Sequence, residues 1–124
     1  MKTDLKTTTE QVQGKNAITV LHLNGWLDKN NEDRFYETAS DVYKQGTRLL
    51  ILDMSAVDTI TSAGMRALTK VYKLYTPEAD QYKATHVKIY GAPEHISHVL
   101  GITGFLKYIP NYESMQAAID SFNE

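Results

Sequence analysis

The chain has 124 residues, 42% of them hydrophobic and 23% charged, the balance of a globular domain rather than a disordered chain. Lys and Arg number 13 against 15 Asp and Glu, a formal net charge of −2, so the broad basic field of a nucleic-acid binder is missing. There is no cysteine, which excludes disulfides, thiolate metal sites and Cys nucleophiles.

Met1 to Glu10 is polar and Thr-rich, without the apolar core of a secretory signal. The longest aliphatic run, Leu49 to Leu52, is far below the ~20 residues of a membrane span. A cytoplasmic protein is the expectation. A weak strand is expected over Leu5 to Val12, with Gly14-Lys15-Asn16 as a hairpin turn. Ile18 to Leu23 reads as a stronger strand that ends at a turn or bulge at Asn24-Gly25. Asn30-Asn31 offers a helix N-cap, and Phe35, Ala39, Val42 and Tyr43 share one face of the helix that follows. Gly46 closes it.

Arg48 to Met54 is apolar without alternation, as in a strand buried on both faces, and Ser55 to Thr61 reads as a polar connection. A helix from Ala63 to Tyr75 should turn Met65, Leu68, Tyr72 and Tyr75 inward and Arg66, Thr69, Lys70 and Lys73 outward. Pro77 should stop it, and Thr76 to His86 reads as a polar link. Val87 to Tyr90 is the next strand. A helix then begins at Pro93 with Ile96, Val99 and Leu100 buried, and Gly101 closes it. Leu106 to Ile109 is a candidate last strand, and Ser114 caps a final helix with Met115, Ala118, Ile119 and Phe122 on one face. Strands alternating with helices imply a mostly parallel sheet, made mixed by the N-terminal hairpin, in one α/β domain spanning residues 1–124.

Chemistry-bearing constellations are few. His95 and His98 stand at a spacing that can hold a metal, but no third ligand accompanies them in sequence. Asp53 and Asp58 flank Ser55 as paired carboxylates, for which turn and cap hydrogen bonding is the simpler role. Neither a G-x-S-x-G elbow nor a Walker A loop is present, so catalysis, cofactors and metals are not expected. Trp26 is either an interface anchor or a cap over the sheet edge. Ser62, at the start of a helix, reads as an N-cap or as a modification site.

Several motifs resemble one family when taken in order. Asn24-Gly25-Trp26-Leu27-Asp28 resembles a G-x-L-D turn, and Leu50 to Asp58 a buried strand followed by D-[LM]-S-x-V. Thr61-Ser62-Ala63-Gly64-Met65 resembles a D-S-S-G-L helix start. Ile89 to Glu94, Leu100 to Phe105 and the helix at Ser114 supply the remaining landmarks. Over Ile18 to Phe122 the chain resembles the STAS domain family of sulfate transporters and anti-sigma factor antagonists. It differs from the pattern at Thr61, where Asp is usual, at Ala63, and in its longer link at Thr76 to His86.

The resemblance implies the STAS fold, a mixed, mostly parallel sheet with about four helices. It implies a non-enzymatic anti-sigma factor antagonist. In its unphosphorylated form such a protein captures an anti-sigma factor of the GHKL serine-kinase class, and a PP2C-type phosphatase restores that form. By the resemblance Ser62 is the phosphoacceptor, and Asp28, Asn30, Thr59, Thr61, Ala63, Gly64, Met65 and Arg66 form the partner surface. Two alternatives stay open: a subunit docking constitutively in a transporter or signalling complex, and a module binding a nucleotide or small ligand. Homodimerisation is open as well.

Overall fold

The computed structural model describes residues 4–76 and 85–122. Five strands form one sheet in the order β1-β2-β3-β4-β5: β1 (Leu5–Gln13), β2 (Ala17–Leu27), β3 (Leu50–Ile60), β4 (Val87–Tyr90) and β5 (Asn111–Tyr112). β1 runs antiparallel to β2, and every other neighbouring pair is parallel. The expected mixed sheet is therefore present. Four helices accompany it: α1 (Glu32–Lys44), α2 (Ser62–Tyr75), α3 (Glu94–Ile102) and α4 (Met115–Ser121).

The sheet buries its two faces unequally. Leu21, Leu23, Leu50, Leu52, Met54, Val87 and Ile89 join Phe35, Leu68, Val71, Tyr75, Ile96 and Leu100 in a large core under α1, α2 and α3. On the opposite face Ile18, Val20 and Ile51 pack against Ala118 of α4, with Met115, Ile119 and Phe122 around them. The unalternating run Leu50-Ile51-Leu52 is apolar because successive side chains enter different cores. Tyr75 locks α2 to α1: its buried hydroxyl donates to the Ala39 carbonyl at 2.7 Å, and burial pushes its pKa far up.

Several expectations need correction. β3 does not yield to a polar connection after Met54 but continues through Ser55 to Ile60. The cause is β2, which runs past Asn24-Gly25 and keeps pairing, so that Trp26 faces Thr59 and Leu27 faces Ile60. Two register shifts absorb the mismatch, so Asn24-Gly25 is a bulge within a strand and not its end. Gly25 takes φ +127°, and a Cβ there would stand 2.0 Å from the Asp4 carbonyl oxygen, so only glycine fits. β3 also begins at Leu50 rather than Arg48, whose guanidinium donates to the Tyr43 and Thr47 carbonyls and lies over the Tyr43 ring.

Leu106 to Ile109 is not a strand. Phe105–Lys107 forms a 3-10 turn that drops Phe105 and Ile109 into the large core, and pairing with β4 starts only at Asn111. The Pro110 carbonyl accepts from Ile89 N–H at 2.9 Å, a bond that proline can still accept although it cannot donate. α3 continues past Gly101 to Ile102, and Val99 is 37% exposed instead of joining the buried stripe of Ile96 and Leu100. Val99, Ile102 and Tyr108 are the exposed large hydrophobic residues among those described. Met65 and Tyr43 are half-buried against the core, and Gly46, at φ +113°, follows the α1 C-cap Gln45 as expected. Ser114 caps α4 as expected, its side chain accepting from Ala117 N–H at 3.0 Å. The stop at Pro77 and most of the following link lie outside the described residues.

A charged chain crosses the three N-terminal strands where α4 leaves the sheet open. Nδ1 of His22 lies 2.6 Å from Asp53 Oδ2, and Nε2 lies 2.8 Å from Glu10 Oε1. Asp53 Oδ1 accepts from Ser55 Oγ (2.7 Å) and Ser55 N–H (3.0 Å). Burial lowers the His22 pKa, but the hydrogen bonds to Glu10 and Asp53 and their charges outweigh it and raise the value above 6.5. Burial raises the Asp53 pKa, and the Ser55 bonds and His22 outweigh that and hold it below 3.8.

The two shifts define a pH window. His22 stabilises the fold fully below pH 6.5, and its contribution is lost as pH rises through the raised folded value. Asp53 contributes above pH 3.8 and loses its contribution as pH falls through its depressed value. Urea titrations should therefore show a decline in stability above pH 6.5 that His22→Gln flattens. An unchanged alkaline slope in that variant would show that the bridge is energetically idle.

Candidate functional site

The sequence-identified residues meet at the C-terminal ends of β2 and β3, where the loop from Asp28 to Asn31 and the first turn of α2 lie side by side. The Leu27 carbonyl organises the junction. It accepts from Thr61 N–H at 3.0 Å and is also within reach of the Thr61 hydroxyl, at 3.5 Å. Thr61, extended at φ −111° and ψ 177°, is the N-cap of α2, and its carbonyl accepts from Met65 N–H at 2.9 Å. Its side chain makes no capping bond because its hydroxyl is turned to Leu27.

Ser62 is consequently the first helical residue and not the cap. Its side chain is exposed, and its hydroxyl has no hydrogen-bond partner among the described residues. The capping role weighed from sequence is therefore not the one it plays. No acidic side chain occupies the first turn of α2, so the helix supplies no carboxylate of its own to its free N–H groups and the positive end of its dipole.

The flanking residues divide into scaffold and surface. Asp28 is 9% exposed, and its Oδ1 accepts from Asn30 N–H and Asn31 Nδ2, both at 3.1 Å. The Asp28 carbonyl accepts from Asn31 N–H, and Asn31 Nδ2 also donates to the Trp26 carbonyl. Asp28 is therefore the buried pin of the loop, and Asn31 braces that loop where the sequence suggested a side-chain cap for α1. Asn30 is exposed beside it. Thr59 is half-buried and donates to Asp58 Oδ2 at 3.1 Å. Ala63 and Gly64 are buried.

Gly64 serves the close packing of α2 on β2. A Cβ there would stand 2.3 Å from the Leu27 carbonyl oxygen and 2.9 Å from Ile60 Cγ1. Arg66 projects outward and reaches Glu32 Oε2 of α1 at 3.7 Å. Sequence reasoning missed Glu32, whose position in the first turn of α1 signalled only dipole complementarity.

Two further candidates receive definite places. Nε2 of His95 lies 2.7 Å from the Asp58 carbonyl, so His95 docks α3 onto the end of β3. Trp26 is half-buried and lines a shallow depression with Asp4, Lys6, Asn24, Gly25, Ala56 and Asp58, beside the edge of the sheet.

The model of the STAS domain family matches residues 10–118. The chain belongs to the STAS domain family. Among curated relatives it resembles BtrV of Bordetella bronchiseptica, which carries the name of an anti-sigma factor antagonist, with 25% identity over 118 residues and 95% of each chain covered. Its fold is similar to that of an anti-sigma factor antagonist from Mycobacterium paratuberculosis, at TM-score 0.83 and 19% identity over 100% of this chain and 98% of the other. It is also similar to SpoIIAA, an anti-sigma factor antagonist solved unphosphorylated (TM-score 0.71, 13% identity, 95% of this chain and 96% of that one). The phosphorylated form of SpoIIAA, from Bacillus, gives TM-score 0.66 and 15% identity over 94% of this chain and 99% of the other. No helix of the described residues is long and apolar enough to cross a membrane.

The junction at Gly64 makes a direct test of this packing. Gly64→Ala should cost about 2 kcal/mol or more, because the obstructing atom is a backbone oxygen and cannot rotate away. Urea denaturation with an unchanged m-value would register it. A neutral substitution would mean that α2 can slide on β2.

Proposed function

We propose that the chain is an anti-sigma factor antagonist that binds an anti-sigma factor of the GHKL serine-kinase class and is released from it by phosphorylation of Ser62. The observation that carries the reading is the state of Ser62. It is exposed, makes no hydrogen bond to a described residue, and stands at the positive end of a 14-residue helix. A hydroxyl committed to capping would give up its bond on modification; this one has none to lose. BtrV and SpoIIAA support the class of function, and SpoIIAA exists in both phosphorylation states.

The physical effect of the phosphate would be local. It adds about −1.5 to −2 charges at neutral pH, which the helix N-terminus tolerates. Arg66, one turn along and mostly exposed, can swing from Glu32 to pair with it. The fold would therefore accept the modification, and inhibition would arise where the phosphate meets a partner that had desolvated Ser62, Thr61 and Asn30. A PP2C-type phosphatase would restore binding. Asp28, Ala63 and Gly64 would act beneath that surface by holding its shape, while Thr59, Met65 and Arg66 border it.

A pull-down from source-cell lysate followed by mass spectrometry tests the reading. The wild-type chain should retain an ATP-binding serine kinase, and adding ATP should place one phosphate on Ser62. Ser62→Ala should bind and stay unmodified, and Ser62→Glu should bind at least roughly tenfold more weakly. Recovery of transporter subunits with no kinase, or phosphate at another residue, would overturn the proposal.

A further inference from the structure

The outer edge of β1 is the longest unpaired backbone surface among the described strands. β1 is an end strand of the sheet, and its nine residues pair with β2 without a register shift. Neither proline nor a bulge interrupts it, so of the devices that usually blunt an edge only charged side chains, Lys6 and Glu10, are present. Trp26 N–H donates to the Asp4 carbonyl, and Gly14 N–H donates to the Asn16 carbonyl. Both bonds fall on even-numbered residues of the β1 side in the one register that relates β1 to β2. By the antiparallel alternation, the even residues spend their N–H and C=O groups on β2, and Leu5, Thr7, Thr9 and Gln11 direct theirs outward.

The side chains suit a second copy of the same strand. Lys6 and Glu10 stand on one face, both exposed, with Thr8 midway between them. Lys6 has no partner among the described residues, and Glu10 commits only Oε1, to His22. When two such strands run antiparallel about a two-fold axis at Thr8, Lys6 faces the partner's Glu10 and Glu10 faces the partner's Lys6. The same register places Thr7 opposite the partner's Thr9 and Leu5 opposite the partner's Gln11, and these are the residues with outward backbone groups. Lys6–Glu10 and Thr8–Thr8 then fall at non-hydrogen-bonded positions, where facing side chains come closest. Backbone parity and charge therefore select one register together.

We infer that the β1 edge is a self-association surface, on which two copies of the chain join their sheets antiparallel about Thr8 with reciprocal Lys6–Glu10 pairs. The interface is isologous and small, so the dimer is a weak one that forms with rising concentration. It uses no residue of the Ser62 surface and does not depend on the function proposed for it.

Charge reversal gives the decisive experiment. Sedimentation equilibrium of the wild-type chain from micromolar to millimolar concentration should show a monomer–dimer equilibrium. Lys6→Glu or Glu10→Lys alone should each weaken self-association at least roughly tenfold by placing like charges opposite one another. An equimolar mixture of the two variants should associate again, because one strand then carries two carboxylates and the other two ammonium groups. Thr9→Pro removes an outward N–H that β2 does not use, so the monomer should keep its circular dichroism while the dimer is lost. A wild-type chain that stays monomeric at millimolar concentration would overturn the inference. So would a dimer that survives Thr9→Pro, or variants that fail to associate when mixed.

Discussion

The Leu27 carbonyl fixes where α2 begins, and the Ser62 end of the molecule depends on that one acceptor. It lies at the last residue of β2, where it takes the Thr61 N–H and draws the Thr61 hydroxyl away from capping. The same oxygen stands where a side chain at position 64 would have to go, so glycine lets the helix press directly onto the strand. Because Thr61 is held by a strand, Ser62 enters the helix with its hydroxyl free. The exposure of a single serine is thus a consequence of β2 and β3 staying paired beyond the bulge at Gly25.

The sequence made plain those parts of the fold whose side chains carry the information. Ile18, Val20, Leu21, Leu23, Leu50 to Leu52, Val87 and Ile89 are apolar because they are buried, and the periodicity of Phe35, Ala39 and Val42 follows the buried face of α1. What stayed hidden was structure specified by backbone partners. Ser55 to Ile60 has no strand-like alternation, yet it is a strand because an extended β2 lies alongside. Leu106 to Ile109 has strand-like composition, yet its neighbour β4 is already paired through Pro110 and Asn111. Composition cannot show which carbonyl a segment will find.

The same distinction runs through the candidate site. Asp28 to Arg66 could be assembled by resemblance, but their division of labour could not. Asp28 looks like a surface carboxylate in sequence and is a buried turn pin, because Asn30 and Asn31 supply its donors within three residues. Gly64 belongs to a helix-start motif in sequence, and in the fold it is the point where α2 presses on the Leu27 carbonyl. Arg66 and Glu32 are 34 positions apart and meet only because α1 and α2 pack together. Ser62 is exposed where α2 begins, as its first helical residue and not its cap.

Near neutrality would make the phosphate proposed at Ser62 a large change for this surface. With a formal net charge of −2, the chain has no strong field of its own to mask a local change. A phosphate carries about that much charge by itself. Placed at the uncapped end of α2, it would be held by free N–H groups and by Arg66, both of which already exist in the unmodified fold. In the free domain the anion would keep its water as well as these partners, whereas a partner lying on Ser62 would have to strip that water and bury the charge. The free energy of the modification would then fall on the complex and not on the fold, which separates a switch of binding from a switch of stability.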